Sequence, residues 1–468
     1  MALAAAVYSL SSRAAPNLAS NMAESLPSCA NQYRSLPGIV LSCITTIFLC
    51  IWVALHLNVP EPVDTKSLGY LARFKISIKC FFRCTLVPVF VTLVVPEWVL
   101  GMAVRQFIAA SRVAKSIGAT RQQGFFIIMG GFHLFKRREG PLKNIIEIIE
   151  EYIEETHPLV ENLAMEVRDG RGSCAPGKSQ KMNNPFEEEF GEPVHPLDEF
   201  DVCHLLQTGK LRLPNTADLE DRCKSDGLAK FLIVIQTFWF ISQCIARKLS
   251  KLPLTELEII TLGYTLLTVA MYIAWWDKPY RVRFPVRVYE TLPKRTKEQQ
   301  WLKNNMEATN SWETAFNYAA GTQAELVDLR SVKQVPIFYS GFTLDEWNVS
   351  DLGGIPTTVI VGTLFGAVHF LGWSSPFPST RMQFLWRFAA IAMTAVPPAA
   401  LVGAFFGGLI RDTLSELVGT LVFLPLFLLP PLYFVGRGVT VVLALVTLAK
   451  LPLDAYRDVE WSDFFPHI

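Results

Sequence analysis

Residues 37–57 read PGIVLSCITTIFLCIWVALHL, an apolar run that meets no charged side chain until Glu61. About 20 such residues wind into a helix long enough to cross roughly 30 Å of hydrocarbon. This helix would be apolar on every face, so it has no side to show to water. That decides the fold class: an all-α, polytopic membrane helix bundle. The pattern recurs at 84–104 (CTLVPVFVTLVVPEWVLGMAV, with Glu97 inside it), 230–246, 257–276, 355–373 and 386–410. A last stretch, 417–449, is interrupted by Pro430–Pro431 and by Gly436–Arg437–Gly438. It is too long for one upright span, and the reading is two spans joined at Arg437. The expected total is seven or eight, all helical, because a helix satisfies its own backbone polar groups in lipid.

Composition agrees. Of the 468 residues 51% are hydrophobic, 32 of them Phe, and only 18% are charged, against roughly 25% in soluble domains. A net charge of +1 gives no basis for a nucleic-acid surface. Nine cysteines in a chain this long do not make a disulfide scaffold. The partner implied is the lipid bilayer, with the location integral and multi-pass; neither the membrane nor the oligomeric state follows.

The chain divides into an N-terminal segment (1–36), spans 1 and 2 (37–104), a long extramembrane loop (105–229), spans 3 and 4 (230–276), a second long loop (277–354), the remaining spans (355–450) and a tail (451–468). The opening MALAAAVYSL has no basic residues ahead of it and does not indicate a cleaved signal. In the first long loop, GFFIIMGGFHLF (124–135) is too short to span and is expected at the interface or packed on the bundle. Ile145, Ile146, Ile149 and Ile153 recur at helical spacing across 143–156. The stretch 170–196, rich in Gly, Ser, Asn, Pro and Glu, reads as disordered. The second loop carries a helical patch near 296–320. Basic residues at 66–83 (Lys66, Arg73, Lys75, Lys79, Arg83) and at 247–251 (Arg247, Lys248, Lys251) both fall opposite the N-terminus in this scheme, which puts the N-terminus outside.

Glu97 is the foremost site residue. A carboxylate inside an apolar span is expensive and usually marks a path, a relay or an ion pair. Pro96 beside it should kink the helix and free a backbone carbonyl. The plainer reading pairs Glu97 with Arg105, two turns on. Gln236 and Gln243, seven residues apart, form a polar stripe on span 3, continued by Arg247. Thr261, Thr265, Thr268 and Tyr272 form another on span 4. Such residues serve as interhelical glue more often than as a substrate lining. His369 follows a Gly362–Gly366 pair that allows close helix approach, as does Gly403–Gly407. A histidine there could relay protons, but a hydrogen bond between helices is the commoner role. Together Glu97, Gln236, Gln243 and His369 are the candidate intramembrane polar residues.

Other motifs fall away. Glu154 and His157 have the i, i+3 spacing of a di-metal helix, without the second motif that chemistry needs. Cys80 and Cys84 lie one turn apart with no His or Cys partner. No GxSxG, HExxH, Walker A or aspartate-rich diphosphate motif occurs. No metal or cofactor is therefore expected, and no catalytic residue is assigned. WWDK (275–278) reads as an aromatic and charged anchor at the membrane boundary.

Several blocks carry a family likeness. They are SCITTIFLCIWVALHLNVPEP (42–62), PEWVLGMAVRQFIAA (96–110), MGGF (129–132), KSDGLAKFLIVIQTFWFISQCIAR (224–247) leading to WWDKP (275–279), GAVHFLGWSSPFP (366–378) with LWR (385–387), and DVEWSDFFPHI (458–468). Together they resemble a large family of fungal multi-pass integral membrane proteins of unassigned activity. The resemblance covers nearly the whole chain and implies a fungal source and a membrane location; it brings no catalytic residues. RQQG (121–124) stands where that family would have a Thr-His pair.

The functional expectation is a transporter, channel or sensor for a small apolar or weakly acidic molecule. The alternatives are a membrane-embedded enzyme acting on a lipid or terpenoid in secondary metabolism, with Glu97 or His369 as general acid, and a non-catalytic membrane scaffold.

Overall fold

The computed structural model describes residues 33–64, 68–136, 191–223, 227–295, 327–339, 354–411 and 428–459. The expected helices at 143–156 and 296–320, most of the 170–196 stretch and the second half of the C-terminal tail lie outside them.

Helix α1 (Leu36–Ala54) begins where Ser35 caps the Gly38 amide. Ile39, Cys43, Thr46, Cys50 and Val53 recur every three or four residues on its buried side, while Leu41, Ile44 and Phe48 stand at least half exposed on the other. A helix apolar on both faces and packed on only one is what a lipid-facing bundle helix requires.

The second expected span differs. Helix α2 (Tyr70–Phe81), a π-helical turn (Phe82–Leu86) and helix α3 (Val87–Val94) form one apolar rod. Val95 then leaves helical geometry (φ −139°, ψ 62°) and α4 (Pro96–Ile117) starts afresh. Proline disfavours a helical conformation in the residue before it, so the apolar run at 84–104 is divided at Pro96 between two helices. Gly118, at φ +67°, ends α4 in the left-handed conformation that glycine takes without strain.

A short helix α5 (Arg121–Ile128), opened by a Thr120–Gln123 capping box, packs onto α4. A Cβ on Gly124 would come 2.2 Å from the Ala110 carbonyl oxygen. Phe125 and Phe126 are fully buried, so GFFIIMGGFHLF packs on the bundle. Its second half is strand β1 (Phe132–Lys136). With β2 (Glu192–Pro196) antiparallel to β1 and β3 (Val286–Val288) parallel to it, the chain builds a three-stranded sheet in the order β2-β1-β3. The all-α expectation is corrected here, and residues 192–196, taken as the end of a disordered stretch, are a strand. Two short helices, α6 (Glu199–Gln207) and α7 (Thr216–Arg222), follow β2.

The remaining helices are α8 (Gly227–Leu249), α9 (Glu256–Ala274), α10 (Gly354–Val368, continued by a 3-10 turn His369–Gly372), α11 (Thr380–Arg411), α12 (Leu429–Thr447) and a single turn α13 (Leu453–Tyr456). Helix α12 passes through Gly436, Arg437 and Gly438 without a break, so Arg437 lies inside one helix and does not join two spans. Gly366 sets α10 directly on α11: a Cβ there would meet the Thr394 nitrogen at 2.5 Å. Among the described residues five helices are long and apolar enough to cross a membrane: Leu36–Ala54, Tyr70–Val94, Glu256–Ala274, Thr380–Gly403 and Leu429–Lys450.

The two ends of the bundle are distinct. At one, Tyr33 bridges Arg457, the Arg34 amide donates to the Tyr456 carbonyl at 2.6 Å, and the Arg34 guanidinium binds Glu258 at the start of α9. Arg247 at the end of α8 donates to the carbonyls of Pro253, Ala455 and Arg457. The 247–251 link thus sits beside the N-terminal flank, not opposite it, and the orientation argument built on it fails. At the other end lie Asn58, Gln106 and Lys278, joined to one another by hydrogen bonds, and the sheet.

Candidate functional site

Pro96 opens α4 and places Glu97 in its first turn, where unpaired amides and the helix dipole favour a carboxylate. Arg437 reaches it from the middle of α12, 340 residues later in sequence. Its Nη1 donates to both carboxylate oxygens, at 3.1 and 3.0 Å, and its Nη2 to the Tyr264 hydroxyl at 2.7 Å. Tyr264 in turn donates to the Leu93 carbonyl, one of the groups left without a helical partner by the break at Val95. Both side chains are buried, Glu97 and Arg437 each at 6% exposure. The Arg437 guanidinium also lies 4.6 Å from the Phe365 ring centroid, a cation–π distance.

Small residues make room for this centre. A Cβ on Gly362 would be 3.9 Å from Glu97 Cγ and 3.2 Å from Pro397, and one on Gly436 would be 3.3 Å from the Ala389 carbonyl oxygen. The Tyr433 hydroxyl, one turn before Arg437 on α12, is buried beside Glu97 and Arg437.

The pairing expected with Arg105 is not the one formed. His369 lies next door but does not join the cluster. Its ring, 1% exposed, hydrogen-bonds through Nδ1 to the Phe365 carbonyl at 2.9 Å and packs on Phe365 and Trp386, with centroids at 5.1 and 5.7 Å. Phe365 thus separates His369 from Arg437. The glutamine stripe lies elsewhere: Gln236 donates to Thr46 of α1 at 3.3 Å, and Gln243 is half-buried on the same helix. Thr261, Thr265 and Thr268 are spent on carbonyls of their own helix, those of Leu257, Thr261 and Tyr264. Each hydroxyl donates within α9, and all three lie against Cys43 and Cys50 of α1, so the stripe faces a neighbouring helix.

Two further polar centres escaped sequence reasoning. Lys278, expected as a boundary anchor, points inward and is 3% exposed. Its Nζ donates to Asn58 Oδ1 and Gln106 Oε1, each at 2.9 Å, and lies 5.1 Å from the Trp275 ring centroid. Burial among neutral partners holds its pKa well below the ordinary lysine value. On the sheet side, Arg330 pairs with Asp201, and Arg295 with Asp198 (3.3 Å) and Asp328. His133 and His195 are buried on neighbouring strands, and burial lowers both, His133 to about 4. No local motif announces either centre, because their members are far apart in sequence. Among the described residues no group of His, Cys, Asp or Glu could hold a metal ion.

No curated protein and no solved structure matches the chain. A family model does match, over residues 4–134 and 203–326, more than half of the chain. The match takes in Glu97, Tyr264, Gln106 and Lys278 but stops short of His369 and Arg437. On that match the chain belongs to the family of unknown function DUF8562.

Proposed function

We propose that this protein is a multi-pass integral membrane transporter or sensor for a small, weakly acidic molecule, with Glu97 and Arg437 as its exchange site. The observation that carries the reading is the two-oxygen grip of Arg437 on a buried carboxylate at a helix break. Arginine pairs strongly with carboxylates whether they belong to a side chain or to a ligand. Protonation of Glu97 would free Arg437 for the carboxylate of a ligand, and the Tyr433 hydroxyl beside Glu97 is a further donor within the centre. Broken helices around an intramembrane charge are a device of transporters, and Pro397–Pro398 inside α11 adds a second irregular point beside Glu97. The enzyme alternative wants a second acid–base group bonded to Glu97, and the His369 ring is instead bonded to the Phe365 carbonyl.

The topology that goes with this reading has six crossings, at α1, α8, α9, α10, α11 and α12, not the seven or eight expected from hydropathy. Support comes from the Tyr33–Arg457 bridge, since flanks that pair at one end of the bundle call for an even number. Residues 70–117 then enter and leave on one side, turning at Val95. Irregular backbone at that depth is tolerable where protein buries it, as Tyr264 does at Leu93.

Reconstituted vesicles test the function. Uptake of radiolabelled straight-chain monocarboxylates under an inward proton gradient should exceed that of empty vesicles and collapse in Glu97→Gln. Unchanged uptake in the variant removes Glu97 from the mechanism.

A further inference from the structure

Helix α2 stands apart from the bundle. None of its residues is buried, and Tyr70, Leu71, Phe74, Ile78 and Phe81 are exposed along with the following Phe82. At 3.6 residues per turn Tyr70, Phe74, Ile78 and Phe81 fall on one side, with Leu71 and Phe82 beside them. Lys75, Lys79 and Arg83 recur at i, i+4 and i+8 and form a separate stripe. All three are exposed, and among the described residues no carboxylate lies within ion-pair distance of them.

Length fixes how this helix sits. The rod Tyr70–Val94 has 25 residues, about 37 Å at 1.5 Å per residue. Its far end is tied by the Leu93 carbonyl to Tyr264, which lies ten residues, roughly 15 Å, inside the Ala274 end of α9. Its near end follows a segment held at that same end of the bundle, where the Val59 amide donates to Met129 and Asn58 binds Pro336 and Lys278. A 37-Å rod that descends only about 15 Å must lie strongly tilted. Standing upright it would carry Tyr70, Leu71 and Phe74 some 20 Å out into water.

We propose that α2 lies along the membrane interface on the sheet-bearing side, its aromatic face in the acyl boundary and its Lys75–Lys79–Arg83 stripe on the phosphates of anionic phospholipids. The inference rests on the re-entrant path proposed for residues 70–117. An aromatic face beside a basic face is the pattern of interfacial helices, and a stripe of basic residues draws anionic lipid to itself. The π turn at Phe82–Leu86 marks where the rod leaves the interface, because such turns disturb regular helical phase.

The test uses the full chain in nanodiscs of phosphatidylcholine with or without phosphatidylserine. A genetically encoded spin label at position 71, 74 or 78 should report one common depth just below the phosphates. Spin-labelled phosphatidylserine should be enriched at the protein over phosphatidylcholine. The Lys75→Gln, Lys79→Gln, Arg83→Gln triple variant should lose at least about fivefold of that preference, the factor implied by about 1 kcal/mol for even one basic residue. Depth increasing stepwise from 71 to 78 overturns the interfacial placement. Preference unchanged in the triple variant overturns the lipid site, as does its abolition by millimolar inorganic phosphate, which would assign the stripe to a soluble anion. Labels at 70 and 117 reached from opposite sides of the membrane would sink the re-entrant path itself, a result separate from any loss of lipid preference.

Discussion

Arg437 holds both carboxylate oxygens of Glu97 inside the bundle, and through Tyr264 it also reaches the carbonyl of Leu93 on the other side of the Val95 break. One guanidinium therefore neutralises the charge at the start of α4 and supports the hydroxyl that satisfies the end of α3. Charge and broken backbone are solved together, so the pair cannot be removed one partner at a time without exposing the other.

Glu97→Gln alone, or Arg437→Met alone, should lower stability in detergent by about 3–5 kcal/mol, the usual cost of stranding a buried charge. The double variant should recover a large part of that loss. Thermal unfolding of the four proteins gives the coupling directly; simple additivity would mean that the two groups do not depend on each other.

Tyr264→Phe keeps the ring against Phe365, with centroids 5.7 Å apart, but strands the Leu93 carbonyl and one guanidinium donor. A loss of about 1–3 kcal/mol is expected. Hydrogen exchange at residues 95–99 should rise with it, because this turn depends on that contact. Unaltered exchange would show that the turn is held by other means.

Gly366→Val should be among the most damaging single changes in the chain. The first added atom meets the α11 backbone at Thr394 and Met393, at 2.5 and 2.6 Å, and backbone cannot swing aside as a side chain can. Gly438→Ala, with nothing within 4 Å of the added Cβ, is the control and should be close to neutral. Expression and melting temperature of the two variants separate these outcomes.

Acid sensitivity should arise on the sheet. His133, held at about 4 by burial and by His195, takes up no proton as pH falls from 6.5, whereas the unfolded chain does. Its contribution therefore lowers stability progressively between pH 6.5 and about 4, by up to roughly 3 kcal/mol. Asp198 runs the other way. Burial and Asp201 raise it to about 6, so the folded form holds a proton between 3.8 and 6 that the unfolded form releases, and acidification favours folding there. The difference between wild type and His133→Phe isolates the histidine: the variant should lose less stability on going from pH 7 to pH 4. Parallel pH curves would assign the acid limb to other groups.

Hydropathy alone located the apolar helices, because a run such as 37–57 has nothing else it can be, and it singled out Glu97 because a carboxylate in such a run demands an explanation. It could not name the partner. Arg437 sits between two glycines beyond a proline pair, a context that reads as a break, and only packing of α12 against α11 and α9 shows it as the middle of a helix. Pro96 was read as a kink within a span when it ends one helix and starts another. The sheet was illegible for a different reason: each strand has at most five residues, and the three come from segments that no periodicity connects. Lys278 looked like an anchor because lysine at a span end usually reaches for water, and its buried amide partners, Asn58 and Gln106, are remote in sequence.

Infrared difference spectroscopy on the reconstituted protein tests the exchange site most directly, with octanoate as the probe ligand. Binding of the probe to Arg437 should displace Glu97 and leave it protonated, giving a carboxylic-acid band that is present in wild type and missing in Glu97→Gln. A difference spectrum without that band, or with the band intact in the variant, would contradict the exchange of one carboxylate for another at Arg437.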